Sequence, residues 1–198
     1  MKKNKYYLLI VFFILIQFFI SKNVHSETLK IGNKNAKITV KVFSSLTCPH
    51  CASFHKKIFE KLKVNYIDTN KVKFEHHAFP LDLAALNAEK IVRCASTPEV
   101  KFKLLHKMYD KQKIWAVGSD IEKINKNLIQ IGAESQIDQN KLKKCLKNED
   151  TQDKILLERI EAQKNFNITS TPTIYINEKK YEDKHEFKSF KKQLDKLL

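Results

Sequence analysis

Glycine and proline are scarce in this chain, whose 198 residues include only three glycines and four prolines. Flexible linkers are rich in these residues, so we expect a single domain over residues 27–198. No glycine-rich phosphate loop, Ser/His/Asp order or paired-carboxylate arrangement stands out in the sequence. Phosphate chemistry, serine hydrolysis and carboxylate acid–base catalysis are therefore not favoured as functions.

Arginine is also rare, because Arg93 and Arg159 are the only arginines among 37 basic residues. The formal net charge is nevertheless +15. Arginine is the residue that makes bidentate contacts to phosphates and base edges, so its shortage disfavours a nucleic-acid partner. We interpret the lysines as a solvated surface, with attraction to an anionic membrane face as the alternative.

The first 26 residues have the pattern of a secretory signal peptide. Lys2, Lys3 and Lys5 precede an apolar run over residues 6–20, which only Gln17 interrupts. The run is shorter than the roughly 20 residues that a membrane-spanning helix needs. We expect cleavage after Ser26 and export, to the periplasm in a bacterial cell. The alternative is an uncleaved anchor with the same domain outside the membrane.

The remaining chain alternates between strand and helix patterns. The spacing of apolar residues predicts strands over residues 37–43, 71–80, 171–177 and 179–183, and helices over residues 52–67, 150–166 and 186–198. Between residues 82 and about 148 we expect several short amphipathic helices, separated by Pro98, Gly118 and Gly132. A strand–helix–strand unit followed by a helix–strand–strand–helix unit predicts an α/β fold with an inserted helical block.

Two cysteines, Cys48 and Cys51, follow the first predicted strand and enclose Pro49 and His50. Open α/β sheets place their chemistry at this end of a strand. If a helix begins here, its unpaired N–H groups and partial positive charge favour a thiolate. We therefore expect Cys48 to be a nucleophile with a lowered pKa and an assisting His50 imidazole. Pro49 would take the first helical position and Cys51 would be the less exposed resolving thiol.

Two other interpretations of this pair remain open. A structural disulfide would close a very short loop and would stabilise the fold little. An exported metal carrier could bind zinc or copper through Cys48, His50 and Cys51. The sequence has no second C-x-x-C and only Met1 and Met108 to support copper. We expect no metal at this pair.

Three histidines have weaker claims on the site. His55 follows Cys51 by four residues on the predicted helix, and we expect its side chain to be exposed. His76 and His77 lie in a predicted strand, where neighbouring side chains point to opposite faces. At most one of these two can therefore line the site.

The other two cysteines, Cys94 and Cys145, lie in different predicted helices of the inserted block. Each follows an apolar residue by three positions, so both are expected to face inward. Four cysteines allow three pairings. If Cys48 pairs with Cys51, a Cys94–Cys145 disulfide is the natural second bridge in an oxidising compartment. Two buried free thiols are the alternative.

With its C-P-H-C after a strand, its helical block and its T-S-T-P-T ahead of a strand, the chain resembles the DsbA family of thiol:disulfide oxidoreductases. The resemblance implies a thioredoxin-like fold with an inserted helical domain and no cofactor. It implies Cys48 as nucleophile, Cys51 as resolving thiol, and a cis peptide bond between Thr171 and Pro172 beside them. It also implies reduced exported proteins as substrates and a DsbB-like membrane partner for re-oxidation.

The chain departs from the family at one position. Many members carry a buried acidic residue six positions before the nucleophile, where this chain has Val42. That carboxylate helps to move protons at the resolving cysteine, so the resolution rate is in question. Cys94 and Cys145 resemble the cysteines of a branch that has a second disulfide. We expect a monomeric disulfide oxidase, with an isomerase or reductase as the alternative.

Overall fold

The computed structural model describes residues 28–198, so the predicted signal peptide lies outside the described residues. Within this part of the chain, one mixed sheet has the strand order β1-β3-β2-β4-β5. The strands are β1 (Leu29–Ile31), β2 (Ile38–Ser44), β3 (Val72–Ala78), β4 (Thr173–Ile176) and β5 (Lys179–Lys180). The sequence did not predict β1, because three residues are too few to show an alternating pattern.

The register of the central strands brings two loops together. β2 runs parallel to β3, with Val42 opposite His76. β4 runs antiparallel to β2, with Phe43 opposite Thr173. The end of β2 therefore lies beside the start of β4. As a result, the loop that follows β2 and the loop that precedes β4 meet at one edge of the sheet.

The active-site helix, residues 49–67, connects β2 to β3. It consists of α1 (Pro49–Phe54), a π-helical segment (His55–Phe59), α2 (Glu60–Leu62) and a second π-helical segment (Lys63–Ile67). Its buried face carries Phe54, Ile58, Leu62 and Tyr66. The apolar side chains that predicted this helix, spaced four residues apart, are therefore the side chains that it buries.

The inserted helices lie between β3 and α8 in the sequence. They are α3 (Leu83–Arg93), α4 (Pro98–Asp110), α5 (Gln112–Trp115), α6 (Ile121–Ala133) and α7 (Gln139–Leu146), and α8 (Glu149–Phe166) and α9 (Phe187–Leu197) follow. Side-chain oxygens of Asp82, Thr97 and Asp120 accept hydrogen bonds from backbone N–H groups at the starts of α3, α4 and α6. The predicted thioredoxin-like α/β fold with a helical insertion is confirmed.

Two local predictions are wrong. Gly132 does not separate helices, because α6 continues through it to Ala133. A Cβ atom on Gly132 would lie 2.7 Å from Cδ2 of Leu142, so this glycine permits close packing of α6 and α7. His55 is buried rather than exposed, at 3% of its accessible surface. Among residues 28–198, no helix is long and apolar enough to cross a membrane.

Candidate active site

The two thiols lie at the start of the active-site helix. Cys48 has extended backbone angles and is the N-cap of α1, and Pro49 follows at the first helical position. Proline is favoured there because its missing N–H has no partner to lose. The backbone N–H of Cys48 donates to the carbonyl oxygen of Ser45 across 3.1 Å, which closes the turn. Cys51 is one turn into the helix and is more deeply buried than Cys48.

The surroundings of Cys48 favour its thiolate. The pKa of Cys48 is lowered from 9.0 to about 5, and a hydrogen bond from the Cys51 thiol is the largest cause. The side chain of Thr171 and the backbone N–H groups of Cys51 and His50 contribute to this lowering, while burial acts in the opposite direction. Cys48 is therefore ionised at neutral pH when the pair is reduced.

Cys51 has the opposite character. Burial is the main cause that raises the pKa of Cys51 far above 9.0, and the neighbouring Cys48 sulfur raises it further. Only 1% of the Cys51 surface is exposed, against 7% for Cys48. One thiolate and one protonated thiol thus share this helix end. Such a pair separates the nucleophile from the group that holds the proton.

The loop before β4 forms the facing wall. The peptide bond between Thr171 and Pro172 is cis. In its thiol form Cys48 donates from Sγ to the carbonyl oxygen of Thr171 across 3.3 Å. Pro172 lies one residue before β4, which starts at Thr173. The structure thus brings together Cys48, Cys51, Thr171 and Pro172.

His50 contributes through its backbone more than through its ring. Its backbone N–H lowers the pKa of Cys48, and its side chain is exposed to solvent. His55 lies deeper in the same helix, where burial and the nearby His106 lower its pKa well below the ordinary range. His77 lies away from the thiols, between Glu75 and Glu158.

Sequence analysis missed Gln112, the first residue of α5. Its side chain is 8% exposed, and its Nε2 donates to the carbonyl oxygens of Leu46 and Cys48 across 2.7 and 3.1 Å. These carbonyl groups belong to the loop that holds the nucleophile. A polar residue between apolar helical positions was the only signal in the sequence, and it does not identify a partner 64 residues away.

A buried carboxylate, Glu89, was also not predicted. Val42 does leave β2 without an acid, but the residue that pairs with Val42 on β3 is His76. Nε2 of His76 lies 2.8 Å from Oε1 of Glu89, and both side chains are buried. The Oε2 atom of Glu89 has no hydrogen-bond partner among residues 28–198.

Tyr109 is a second buried titratable group in this region. Burial raises the pKa of Tyr109 well above its ordinary value, and the charges of Cys51 and Glu89 raise it further. Its hydroxyl oxygen has no hydrogen-bond partner among residues 28–198. A buried acid is thus present in the core, but α3 supplies it instead of β2.

Cys94 and Cys145 form a disulfide, with Cα atoms 5.8 Å apart. It joins the C-cap of α3 to α7. Cys48 and Cys51 are free thiols in the structure. The two cysteine pairs are thus separate, one at the helix end beside β4 and the other between inserted helices.

A thiolate paired with a buried thiol at a helix N-terminus, facing a cis-proline loop in this fold, defines a thiol:disulfide oxidoreductase of the DsbA type. The comparisons agree with this class. A sequence model of the family described as thioredoxin matches residues 24–196. The chain therefore belongs to the thioredoxin family.

Among solved structures, alpha-DsbA1 of Wolbachia pipientis is similar, with 29% identity and a TM-score of 0.79 over 86% of this chain and 90% of that protein. A Rickettsia bellii protein that bears the name protein-disulfide oxidoreductase is 28% identical, over 91% of this chain and 68% of its own length. A Rickettsia conorii relative is 31% identical over 78% of this chain and 54% of its own length. The chain thus spans about half to two thirds of these Rickettsia relatives. Disulfide bond formation protein D of Bacillus subtilis is 27% identical, over 85% of this chain and 76% of that protein.

Proposed function

We propose that the protein introduces disulfides into exported proteins through the Cys48–Cys51 pair. The observation that carries this proposal is the lowered pKa of Cys48, about 5. Stabilising the thiolate stabilises the reduced form of the pair, so the disulfide form is the stronger oxidant. Cys51 is buried and keeps its proton, so it does not compete as a second thiolate. This supports Cys48 as the sulfur that reacts with substrates.

The reaction is a two-step exchange. A substrate thiolate attacks Sγ of Cys48, the Cys48–Cys51 bond breaks, and Cys51 leaves and takes a proton. A second substrate thiolate then attacks the substrate sulfur of the mixed disulfide, and Cys48 leaves as a thiolate. The substrate dithiol loses two electrons and two protons. The enzyme disulfide gains both electrons and one proton, so one proton goes to solvent near pH 7.

The surface beside Cys48 supports an extended, apolar substrate segment. A cavity of about 440 Å³ opens next to Thr47 and is lined by residues that include Leu83 and Ile121. Leu83 is 55% exposed at this place. The backbone next to Pro172 can pair with such a segment by strand addition. Unfolded substrate chains present both apolar side chains and an extended backbone.

The same proposal includes export of the protein and a monomeric state. It also includes a DsbB-like membrane partner that re-oxidises the Cys48–Cys51 pair. The Cys94–Cys145 disulfide supports an oxidising compartment, because cytosolic reductants keep such thiols reduced. Cell fractionation and N-terminal sequencing of the isolated protein test export, and a mature start at Glu27 is expected. Sedimentation tests the oligomeric state.

The decisive experiment is the reduction potential of the Cys48–Cys51 pair in glutathione buffers. A potential well above that of the glutathione pool supports an oxidase. A potential at or below that of the pool would overturn the proposal that the pair donates its disulfide. Cys48→Ser should abolish oxidation of a reduced substrate peptide. Cys51→Ser should trap mixed disulfides that mass spectrometry assigns to Cys48. Full activity of Cys48→Ser would refute the proposed nucleophile.

A further inference from the structure

Away from the thiol site, three side chains of types that can bind a metal lie close together where the active-site helix meets α4. One donor atom each from His55, Glu60 and His106 lies within 4.8 Å of the others. Nδ1 of His106 is 3.2 Å from Nδ1 of His55 and 3.1 Å from Oε1 of Glu60. Ligand atoms about 2.0–2.1 Å from a tetrahedral zinc ion lie about 3.3–3.4 Å apart. The two short separations match that spacing.

The π-helical segment explains how two of these residues share a face. His55 and Glu60 are five positions apart, and residues three or four apart align in an α-helix. The wider turn of a π-helix brings residues five apart closer to a common face, and His55–Phe59 is π-helical. Glu60 therefore lies one wide turn from His55 on the side that faces α4. Such π-bulges occur frequently at functional sites.

A carboxylate orients the third side chain. Nε2 of His106 lies 3.1 Å from Oδ2 of Asp110, four residues later on α4. An outer carboxylate of this kind fixes the tautomer of a metal-binding histidine and leaves its other nitrogen to the metal. The His55 ring is held by stacking on Phe59 and Tyr109, with centroids 4.3 and 4.9 Å away.

A protonated His106 between two carboxylates accounts for only part of this arrangement. It would donate one N–H to Asp110 and the other to Glu60. It would then have no hydrogen directed at the second imidazole, whose Nδ1 is almost as close as Glu60. A single metal cation that accepts one lone pair from each of His55, Glu60 and His106 accounts for all three groups.

We propose that His55, Glu60 and His106 bind one zinc ion. Two imidazole nitrogens and a carboxylate oxygen suit zinc, and a fourth position remains for water. Glu60 and His106 also line a cavity of about 710 Å³, which gives water access to the site. The ion joins the helix that carries Cys51 to the inserted helix α4. It therefore tethers the helical insertion to the redox core without touching either thiol.

The test is a calorimetric titration of the full-length protein with zinc chloride. Cys48 and Cys51 are first oxidised to their disulfide, so that no thiolate competes for the metal. We expect one zinc ion per chain. His106→Ala should remove saturable binding, and Asp110→Asn should weaken binding about 10–100-fold. Glu60→Gln alters a side chain that is about half exposed, so it tests the site in a variant that folds normally.

Two matched variants separate this site from general surface binding. Glu134→Gln removes another carboxylate, which is 37% exposed, and His185→Ala removes an exposed histidine. Both should bind zinc as the parent does. Cobalt(II) in place of zinc should give the visible absorption of a tetrahedral ion, lost in His106→Ala. The proposal would be overturned if the parent protein showed no saturable zinc binding. It would also be overturned if the His106→Ala and Glu60→Gln variants each bound zinc as the parent does.

Discussion

Sγ of Cys48 and the carbonyl oxygen of Thr171 lie 3.3 Å apart, although 123 residues separate them in the chain. The contact exists because Phe43 and Thr173 pair across β2 and β4, which aligns the loops at their ends. Under the proposed function, a substrate that attacks Cys48 approaches along this loop backbone, where an extended peptide can pair. The contact with Thr171 places the nucleophile beside that backbone.

The reduced protein should show the thiolate of Cys48 down to acidic pH. Thiolate absorbance near 240 nm should titrate at about pH 5, and Cys48→Ser should remove this step. Because the folded-state pKa lies below the unfolded value, the thiolate stabilises the reduced fold above pH 9. That contribution should decline as the pH falls from 9.0 to about 5.

The oxidised protein is the control for this pH dependence. It has no thiolate at Cys48, so the difference in unfolding free energy between the reduced and oxidised proteins should carry the effect. A titration step near pH 9 in the reduced protein would contradict the proposed environment of Cys48.

Gln112→Ala should loosen the loop that holds the nucleophile. The substitution removes the side-chain donor to the carbonyl groups of Leu46 and Cys48. The Cys48 carbonyl still accepts from the backbone N–H of Ala52 across 3.2 Å, so the main loss is at Leu46. An unsatisfied buried polar group costs about 1–3 kcal/mol, so the free energy of unfolding should fall by that amount. Chemical denaturation measures the change. Gln130→Ala, at an exposed helical position, should have no comparable effect.

Glu89→Gln should slow the steps in which Cys51 loses its proton. The variant keeps the size of the side chain and a hydrogen bond to His76, but it removes the carboxylate. Proton transfer by a positioned group typically contributes 10²–10⁴-fold, so we expect a reduction of about 10²-fold. The measurement is the rate at which Cys51 closes a mixed disulfide between glutathione and Cys48, followed across pH.

An effect on folding alone would not reproduce this result. The alkylation rate of Cys48 in the reduced protein should be unchanged, because the carboxylate acts on the other sulfur. Glu99→Gln, at an exposed carboxylate, should close the mixed disulfide at the parent rate. An unchanged closing rate in Glu89→Gln would exclude Glu89 from the proton path.

Replacing both Cys94 and Cys145 by alanine should destabilise the protein and leave its exchange chemistry in place. The bridge closes a loop of 51 residues. Constraint of the unfolded chain by such a loop contributes up to about 4 kcal/mol. Denaturation of the oxidised proteins measures the loss, and prior reduction of both proteins should abolish the difference. Loss of substrate oxidation in a folded double variant would instead assign the bridge a role in catalysis.

Much of the site could be predicted because its signals are local. A strand pattern, the C-P-H-C sequence and the proline before β4 lie in short continuous stretches. The partners of these residues could not be predicted in the same way. Gln112 and Glu89 belong to inserted helices, and only packing decides which buried atoms they meet.

His55 shows a different limit. Ordinary helical spacing places His55 on the buried face, because Cys51 lies four residues before it and Ile58 three residues after it. A histidine without a visible partner is nevertheless expected at the surface. His55 is buried because its ring packs against Phe59 and Tyr109, and the contact with Tyr109 in α4 is not visible in the sequence.

The separation of Cys48 and Thr171 also has a consequence for biosynthesis. Ribosomes add about 5–20 residues per second, so Thr171, 123 positions after Cys48, is added about 6–25 s later. The thiol pair therefore leaves the ribosome well before the segment that forms the facing wall of the site. Under the proposed function, a nascent chain of this protein therefore carries the two cysteines before the peptide-pairing backbone at Thr171 and Pro172 has been made.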